Sequence, residues 1–128
     1  MSDKKLVLIV DDEADIRDGV ARWLSATGFE TIVAGDGVEG LESALANKPD
    51  IILLDVLMPR KDGMETLRDL RANAATYEIP VIMLSAHLRD EQQALDAGAR
   101  FFVHKPYDGK KLIQTVKATV EPETASAP

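Results

Sequence analysis

Short apolar runs that recur along the chain limit most strongly what it can fold into. Three of them are uninterrupted: Leu6–Val10, Ile51–Leu54 and Val81–Leu84. Because polar residues do not alternate with the apolar ones, both faces of each predicted strand must be covered, as in the parallel sheets of α/β proteins. Two weaker runs, Thr31–Ala34 and Phe101–Val103, complete a set of five predicted strands.

The segments between these runs carry apolar residues at helical spacing. The predicted core-facing stripes are Ile16-Val20-Trp23-Leu24, Val38-Leu41-Leu45, Met64-Leu67-Leu70 and Leu112-Ile113-Val116-Val120. A fourth helix, around Glu91–Ala97, is short, with Ala94 and Leu95 as its main apolar anchors, so we expect it to be the least firmly held. Strand and helix alternate five times, which predicts a doubly wound parallel sheet with helices on both faces.

Glycine and aspartate mark the expected helix ends. Gly28 and Gly98 lie where helices should end, and Asp36 and Asp108 lie where helices should begin. The last segment, 121–128, has no apolar periodicity and is typical of a disordered polar tail. We therefore expect one domain, residues 1–120, followed by this tail.

Composition excludes several classes of function. The 128 residues include 15 Lys plus Arg and 22 Asp plus Glu, a formal net charge of −7, which argues against nucleic acid or an anionic membrane as the direct partner. The chain has no cysteine, which excludes a disulfide scaffold, a thiol nucleophile and a thiolate metal site. Leu6–Val10 is far too short to span a bilayer. We expect a cytoplasmic protein.

Polar side chains follow the predicted strands at the points where ligands bind in open α/β sheets. Asp11-Asp12-Glu13 follows the first strand, Asp55 the third, Ser85 the fourth and Lys105 the fifth. Carboxylates brought close together repel one another unless a cation shares their charge, and such oxygen ligands suit Mg²⁺. With a lysine for an anionic group and a hydroxyl donor beside them, these residues form a set suited to phosphoryl transfer.

Four segments in this order resemble the receiver domains of two-component response regulators. They are Asp11-Asp12-Glu13, Asp55 to Gly63, Ser85-Ala86 and Lys105-Pro106. Any one of them would be a weak signal, but all four in order, each at a strand end, form a strong one. The resemblance covers the chain up to the tail and implies the flavodoxin-like strand order 2-1-3-4-5.

The resemblance implies a role for each acidic residue. Asp55 corresponds to the phosphoacceptor, which takes a phosphoryl group from a histidine kinase or a histidine phosphotransfer protein. Asp12 and Asp55 correspond to direct carboxylate ligands of Mg²⁺, and Asp11 to the position that acts through a metal-bound water. The backbone carbonyl of Leu57 corresponds to the third protein ligand.

The resemblance also implies a switch. Lys105 corresponds to the lysine that pairs with the phosphoryl oxygens, and Lys105-Pro106 to the family's cis-proline junction. Ser85 corresponds to the hydroxyl that moves to the phosphoryl group, and Phe102 to the aromatic side chain that then turns inward. The surface of the fourth helix, fifth strand and fifth helix would thereby bind a downstream protein differently.

The favoured interpretation is a single-domain response regulator that turns over no external substrate. The main alternative is a receiver-fold module that binds proteins without being phosphorylated. A flavodoxin-like flavin binder is disfavoured, because Asp11-Asp12-Glu13 would repel the flavin phosphate. Asp11 and Glu13 only nearly match the paired aspartates of haloacid-dehalogenase phosphatases, and the threonine that follows that pair is missing.

Each site residue has a simpler explanation when it is taken alone. Asp11-Asp12-Glu13 could serve only as carboxylates at a helix N-terminus, and Asp55 could be a turn residue. Lys105 could be a solvated surface lysine, so only the whole set favours the functional interpretation. Within that interpretation Leu57 is apolar and cannot orient an attacking water, which predicts a long-lived phosphoryl group.

Overall fold

A computed structural model describes residues 4–58, 61–87, 89–105 and 108–120. Within these ranges strands and helices alternate. The strands are β1 (Leu6–Val10), β2 (Glu30–Ala34), β3 (Ile51–Asp55), β4 (Val81–Ser85) and β5 (Phe101–His104). The helices are α1 (Ala14–Thr27), α2 (Gly37–Asn47), α3 (Gly63–Ala72), α4 (Asp90–Asp96) and α5 (Gly109–Val120). The predicted tail, 121–128, lies outside the described residues.

The strands form one parallel sheet in the order β2-β1-β3-β4-β5, which confirms the predicted fold class. Leu8 of β1 pairs with Ile32 of β2 and with Ile52 of β3. On the other side of β3, Leu53 pairs with Ile82 of β4, which in turn pairs with Phe101 of β5. The parallel register brings the carboxyl ends of the strands to one edge of the sheet.

Alternate residues of the central strands enter two separate hydrophobic layers. Leu8 and Leu54 belong to the layer that α2, α3 and α4 cover, and their neighbours Ile9 and Leu53 belong to the layer that α1 and α5 cover. All four are essentially inaccessible to solvent. Burial of one such side chain contributes about 2 kcal/mol, so both layers are needed to hold the sheet. Coverage of both faces is what the unbroken apolar runs predicted.

The apolar stripe predicted for α1 is correct only in part. Val20 and Leu24 are buried in the core, but Ile16 is exposed and Trp23 is 45% exposed. Both exposed side chains line an open apolar cavity of about 520 Å³ between α1 and the end of the sheet. Helical spacing identified the correct side of α1 but overestimated the width of the face that the sheet covers.

The stripe predicted for α2 was largely wrong. Val38 and Leu45 are exposed, whereas Gly37, Gly40 and Ala44 are buried against the sheet. A Cβ atom on Gly40 would lie 3.0 Å from the side chain of Val10. Because α2 approaches the sheet this closely, small residues form its contact face and the larger apolar residues stand at the rim.

The predicted helix ends are mostly confirmed. Gly28 ends α1 with φ at +107°, a conformation that favours glycine. The carboxylate of Asp36 accepts a hydrogen bond from Glu39 N–H at 2.9 Å, and that of Asp108 accepts one from Lys110 N–H at 2.9 Å. Gly98 also has a positive φ, but it lies one residue beyond Ala97, the C-cap residue of α4.

The fourth helix is as short as predicted and is anchored by one residue instead of two. Within α4, Ala94 is fully buried, while Leu95 is exposed. The helix begins at Asp90, one residue before the predicted start. Among the described residues, no helix has the length and hydropathy needed to cross a bilayer.

Candidate functional site

Three carboxylates meet at the carboxyl edge of the sheet. Asp11 and Asp55 are buried, and Asp12 is exposed at the rim. One carboxylate oxygen from each lies within 4.8 Å of those of the other two. Asp11 is fixed in place, because its N–H bonds the carbonyl oxygen of Ala34 at 3.1 Å and its Oδ1 accepts from Glu13 N–H at 2.9 Å. The predicted acidic cluster is therefore present.

Asp55 is placed by the end of β3 and the start of α3. The N–H of the next residue, Val56, continues the ladder to the carbonyl oxygen of Leu84 at 3.0 Å. Gly63, the first residue of α3, approaches so closely that a Cβ atom there would lie 2.2 Å from the carbonyl oxygen of Asp55. A residue without a side chain is required at that contact, so Gly63 helps to fix the backbone beneath the Asp55 carboxylate.

Lys105 brings a positive charge into the cluster. Its N–H donates to the carbonyl oxygen of Ser85 at 2.7 Å, which extends the pairing of β4 with β5 by one residue. Its Nζ lies 2.9 Å from Oδ1 of Asp55 and 3.7 Å from Oδ2 of Asp11. The structure thus joins the lysine to the predicted phosphoacceptor. Pro106, the partner in the predicted cis junction, lies outside the described residues.

Lys105 does not fully compensate the negative charge of the Asp55 carboxylate. Burial raises the pKa of Asp55 from 3.8 to about 6, with the contact to Lys105 acting in the opposite direction. The negative charges of Asp11 and Asp12 also contribute to this rise. One ammonium group therefore does not balance three carboxylates. A divalent cation with oxygen ligands would supply the missing positive charge, so the donor set fits Mg²⁺.

The hydroxyl of Ser85 is buried and engaged with α4. Its Oγ donates to Oδ2 of Asp90 at 2.7 Å and accepts from the N–H of His87 at 3.0 Å. A serine hydroxyl has one proton to donate, so this proton is directed to Asp90. Ser85 lies at the predicted edge of the sheet, but its side chain is bonded to a residue that the sequence did not single out.

Two further residues assigned by the resemblance, Phe102 and Leu57, lie within β5 and just after β3. Phe102 of β5 is half-buried and packs against the core layer that contains Met83. Leu57 is 61% exposed, two residues after Asp55. His104 is exposed and its Nε2 lies 3.0 Å from the carbonyl oxygen of Ala86.

Two contacts near the site were not found by inspection of the sequence. The guanidinium of Arg17 donates from Nη1 to the carbonyl oxygen of Asp11 at 3.2 Å. Asp62 forms a capping box with Glu65 at the start of α3, beside Gly63. The capping box has a sequence signature, an aspartate followed three residues later by a glutamate, and could have been recognised. The Arg17 contact has no comparable signature.

Residues 7–117 match the sequence model described as the response regulator receiver domain. The chain belongs to this family. Response regulator MprA of Mycobacterium leprae is 37% identical over 114 residues, which are 88% of this chain and 49% of that protein. The chain thus spans about half the length of the curated relatives that it matches. The prediction of a regulator with a single domain stays a prediction.

Solved structures of receiver domains match closely. Chemotaxis response regulator CheY4 of Vibrio cholerae has a TM-score of 0.85 at 30% identity, over 91% of this chain and 98% of that one. The receiver domain of sensor histidine kinase PA1611 from Pseudomonas aeruginosa has a TM-score of 0.84 at 25% identity, over 91% and 98% of the two chains. The PA1611 structure contains a magnesium ion coordinated in the active-site cleft. The sequence-based assignment to two-component signalling is confirmed.

Proposed function

We propose that this receiver domain accepts a phosphoryl group on Asp55 from a histidine kinase or a histidine phosphotransfer protein in the cytoplasm. The observation that carries the proposal is the 2.9 Å contact between Lys105 Nζ and Oδ1 of a buried Asp55 within a cluster of three carboxylates. A buried lysine–aspartate contact alone would be a structural ion pair. The two additional carboxylates make the site unfavourable for stability, which points to a functional reason for it.

The proposed reaction transfers phosphorus from nitrogen to oxygen. A carboxylate oxygen of Asp55 attacks the phosphorus of a phosphohistidine, so that a P–O bond forms as the P–N bond breaks. The electron pair of the broken bond stays on the ring nitrogen, which takes up a proton from solvent and leaves as neutral imidazole. Lys105 stays next to the oxygens whose negative charge must be stabilised during transfer.

Asp11, Asp12, Asp55 and the carbonyl of Leu57 are the proposed Mg²⁺ site. Asp12 and Asp55 would bind directly, and Asp11 through a water. Bound Mg²⁺ neutralises the charge of the phosphoryl oxygens. The crowded carboxylates support this proposal, as does the magnesium ion in the cleft of the PA1611 receiver domain.

Phosphorylation would change the partner-binding surface through movements of Ser85 and Phe102. Ser85 is proposed to move its hydroxyl to the phosphoryl group, and the ring of Phe102, already half-buried, to occupy the space left behind. A packing change of this kind needs only a few kcal/mol to shift a two-state equilibrium. The surface formed by α4, β5 and α5 would then bind a downstream protein with altered affinity.

The phosphoryl group is proposed to be long-lived. Leu57 is exposed beside Asp55 and carries no group that can hold a water for attack on phosphorus. Leu57→Asn would place an amide there, so we expect dephosphorylation to become faster. Loss of the phosphoryl adduct over time, followed by intact mass, measures this rate, and an unchanged rate would remove the support for this role of Leu57.

Intact mass after incubation with Mg²⁺ and acetyl phosphate tests the central proposal. We expect the wild type to gain one phosphoryl group and Asp55→Asn to gain none. Asp96→Asn is the matched control, because it removes an exposed carboxylate far along α4. An adduct on both wild type and Asp55→Asn would contradict the assignment to Asp55. No adduct on the wild type would favour the alternative of a protein-binding module that acts without phosphorylation.

A further inference from the structure

The hydroxyl of Ser85 is hydrogen-bonded to Asp90, the first residue of α4. We propose that Asp90 is a positioning residue that holds the Ser85 hydroxyl on α4 and so restrains the domain in its unphosphorylated arrangement. This inference rests on the proposed function, since it assigns Ser85 a role in the response to phosphorylation. The contact that carries it is the 2.7 Å hydrogen bond from Ser85 Oγ to Asp90 Oδ2.

Two acceptors compete for one proton. Ser85 is 2% exposed, so its hydroxyl cannot turn to bulk water in place of a protein partner. A hydrogen bond to an ionised carboxylate is among the stronger ones in proteins. The hydroxyl cannot bond a phosphoryl oxygen on Asp55 while it donates to Asp90, because it has a single proton. Phosphorylation must therefore break the contact with Asp90.

The same contact closes a small ring of hydrogen bonds at the start of α4. The N–H of Asp90 donates to the carbonyl oxygen of His87 at 3.0 Å, and the N–H of His87 donates to Ser85 Oγ at 3.0 Å. Departure of the Ser85 hydroxyl removes two members of this ring at once. Movement of one buried oxygen atom is thereby coupled directly to the beginning of a helix.

The other attachments of α4 make its first turn the weaker end. Ala94, near the middle of the helix, is the residue of α4 that is fully buried. Beyond the other end, the guanidinium of Arg71 donates to the carbonyl oxygen of Gly98 at 2.9 and 3.1 Å and to that of Ile79 at 2.9 Å. Loss of the Asp90 contact should therefore release the first turn while Arg71 keeps the C-terminal end in place.

Hydrogen exchange of the unphosphorylated protein tests the restraint itself. We expect Asp90→Ala to raise exchange in Asp90–Asp96 several-fold, and Ser85→Ala to have a similar effect. The double variant should exchange no faster than Ser85→Ala, because that change already removes the contact with Asp90. Asp90→Asn keeps an oxygen acceptor and should restore part of the protection. Glu91→Ala is the matched control, since it removes an exposed carboxylate from the same turn.

The rate of phosphorylation by acetyl phosphate with Mg²⁺ tests the regulatory role. If the restraint lowers the fraction of molecules ready to accept phosphate, Asp90→Ala should react about tenfold faster than wild type, the effect of one charge-assisted hydrogen bond. Asp90→Asn should react at an intermediate rate, and Glu91→Ala at the wild-type rate.

The two measurements separate this inference from the proposed function. Equal exchange of Asp90–Asp96 in wild type and Asp90→Ala would overturn the restraint, whether or not Asp55 is phosphorylated. If Asp90→Ala exchanges faster than wild type but is phosphorylated at the same rate, Asp90 has a structural role only, and its regulatory role is refuted. A wild type that takes up no phosphoryl group would instead refute the proposed function, while the exchange data would still decide whether Asp90 holds Ser85.

Discussion

Replacement of Asp55 by asparagine should stabilise the protein, and more strongly as the pH rises. Burial raises the pKa of Asp55 from 3.8 to about 6. At about 1.4 kcal/mol for each pH unit, this difference amounts to about 3 kcal/mol of destabilisation once the carboxylate is ionised in the native state. Asparagine has nearly the same shape, keeps an oxygen to accept from Lys105, and carries no charge.

The sign follows from proton binding. The folded protein holds the Asp55 proton more tightly than the unfolded chain does, so low pH favours folding through this group. That contribution is fully present below pH 3.8 and is lost as the pH rises through about 6. Between about pH 4.5 and about pH 7.5, the wild type should lose about 2 kcal/mol relative to Asp55→Asn.

Urea denaturation in the presence of EDTA measures the effect. The chain has a single tryptophan, Trp23, whose fluorescence can report unfolding. The free energy of unfolding of Asp55→Asn minus that of the wild type should be larger by about 2 kcal/mol at about pH 7.5 than at about pH 4.5. For Asp96→Asn, which alters an exposed carboxylate, the corresponding difference should stay within about 0.5 kcal/mol.

A difference that does not change with pH, or that shrinks as the pH rises, would refute the reasoning. It would mean that Lys105 compensates the Asp55 charge fully and that the buried carboxylate is an ordinary ion pair. The contact with Lys105 would by itself produce the opposite trend, because it lowers the pKa of Asp55.

Three further results are expected. Mg²⁺ at about 100 times its dissociation constant should raise the free energy of unfolding of the wild type by about 2.7 kcal/mol, and Asp12→Ala should reduce this gain, as urea titrations with and without the ion will show. Gly63→Ala should destabilise the protein by at least about 2 kcal/mol in the same titrations, because the new Cβ would meet the Asp55 carbonyl. Gly19→Ala in α1, where the new Cβ has open space, should instead stabilise it by about 0.5–1 kcal/mol. Asp62→Ala should lower the melting temperature through the loss of about 1 kcal/mol of capping energy at α3.

The sheet and the acidic cluster could be predicted from the sequence because both depend on simple rules. Strands buried on both faces have unbroken apolar runs, and parallel strands bring their carboxyl ends together. Once Asp11, Asp55 and Lys105 are placed after such runs, their proximity follows without any side-chain detail, and the structure confirms it.

The helix faces were harder because spacing alone does not say how closely a helix approaches the sheet. α2 packs through Gly40 and Ala44, so Val38 and Leu45 remain at the surface although they are the larger apolar residues. Apolar periodicity assigns the large apolar side chains to the buried face of a helix. Where a helix packs closely against the sheet, the small residues are buried and the large ones stay exposed. Trp23 of α1 stays exposed because its helix is covered over a narrower face than its apolar residues suggest.

The contact between Ser85 and Asp90 shows a different limit. An aspartate in the first turn of a helix has a sufficient explanation in the helix dipole, so its residue type gives no reason to look further. Asp90 nevertheless directs its carboxylate to the buried hydroxyl at the end of β4. This hydrogen bond depends on the position of α4 relative to the end of β4, which the sequence pattern does not determine. The residues that bind a ligand can thus be found by their chemistry, while a residue that restrains one of them is found only through geometry.

The stability and the chemistry of the site are linked through Asp55. Four fully buried residues, Ile51–Leu54, precede it in β3, Gly63 packs against its carbonyl, and Asp55 itself is buried. The resulting rise in its pKa weakens the fold near neutral pH, and positive charge at the oxygens relieves it. A site that is least stable without its ligand gains the most when that ligand binds. The loss of stability therefore increases the difference between the free and ligand-bound states, on which the proposed switch depends.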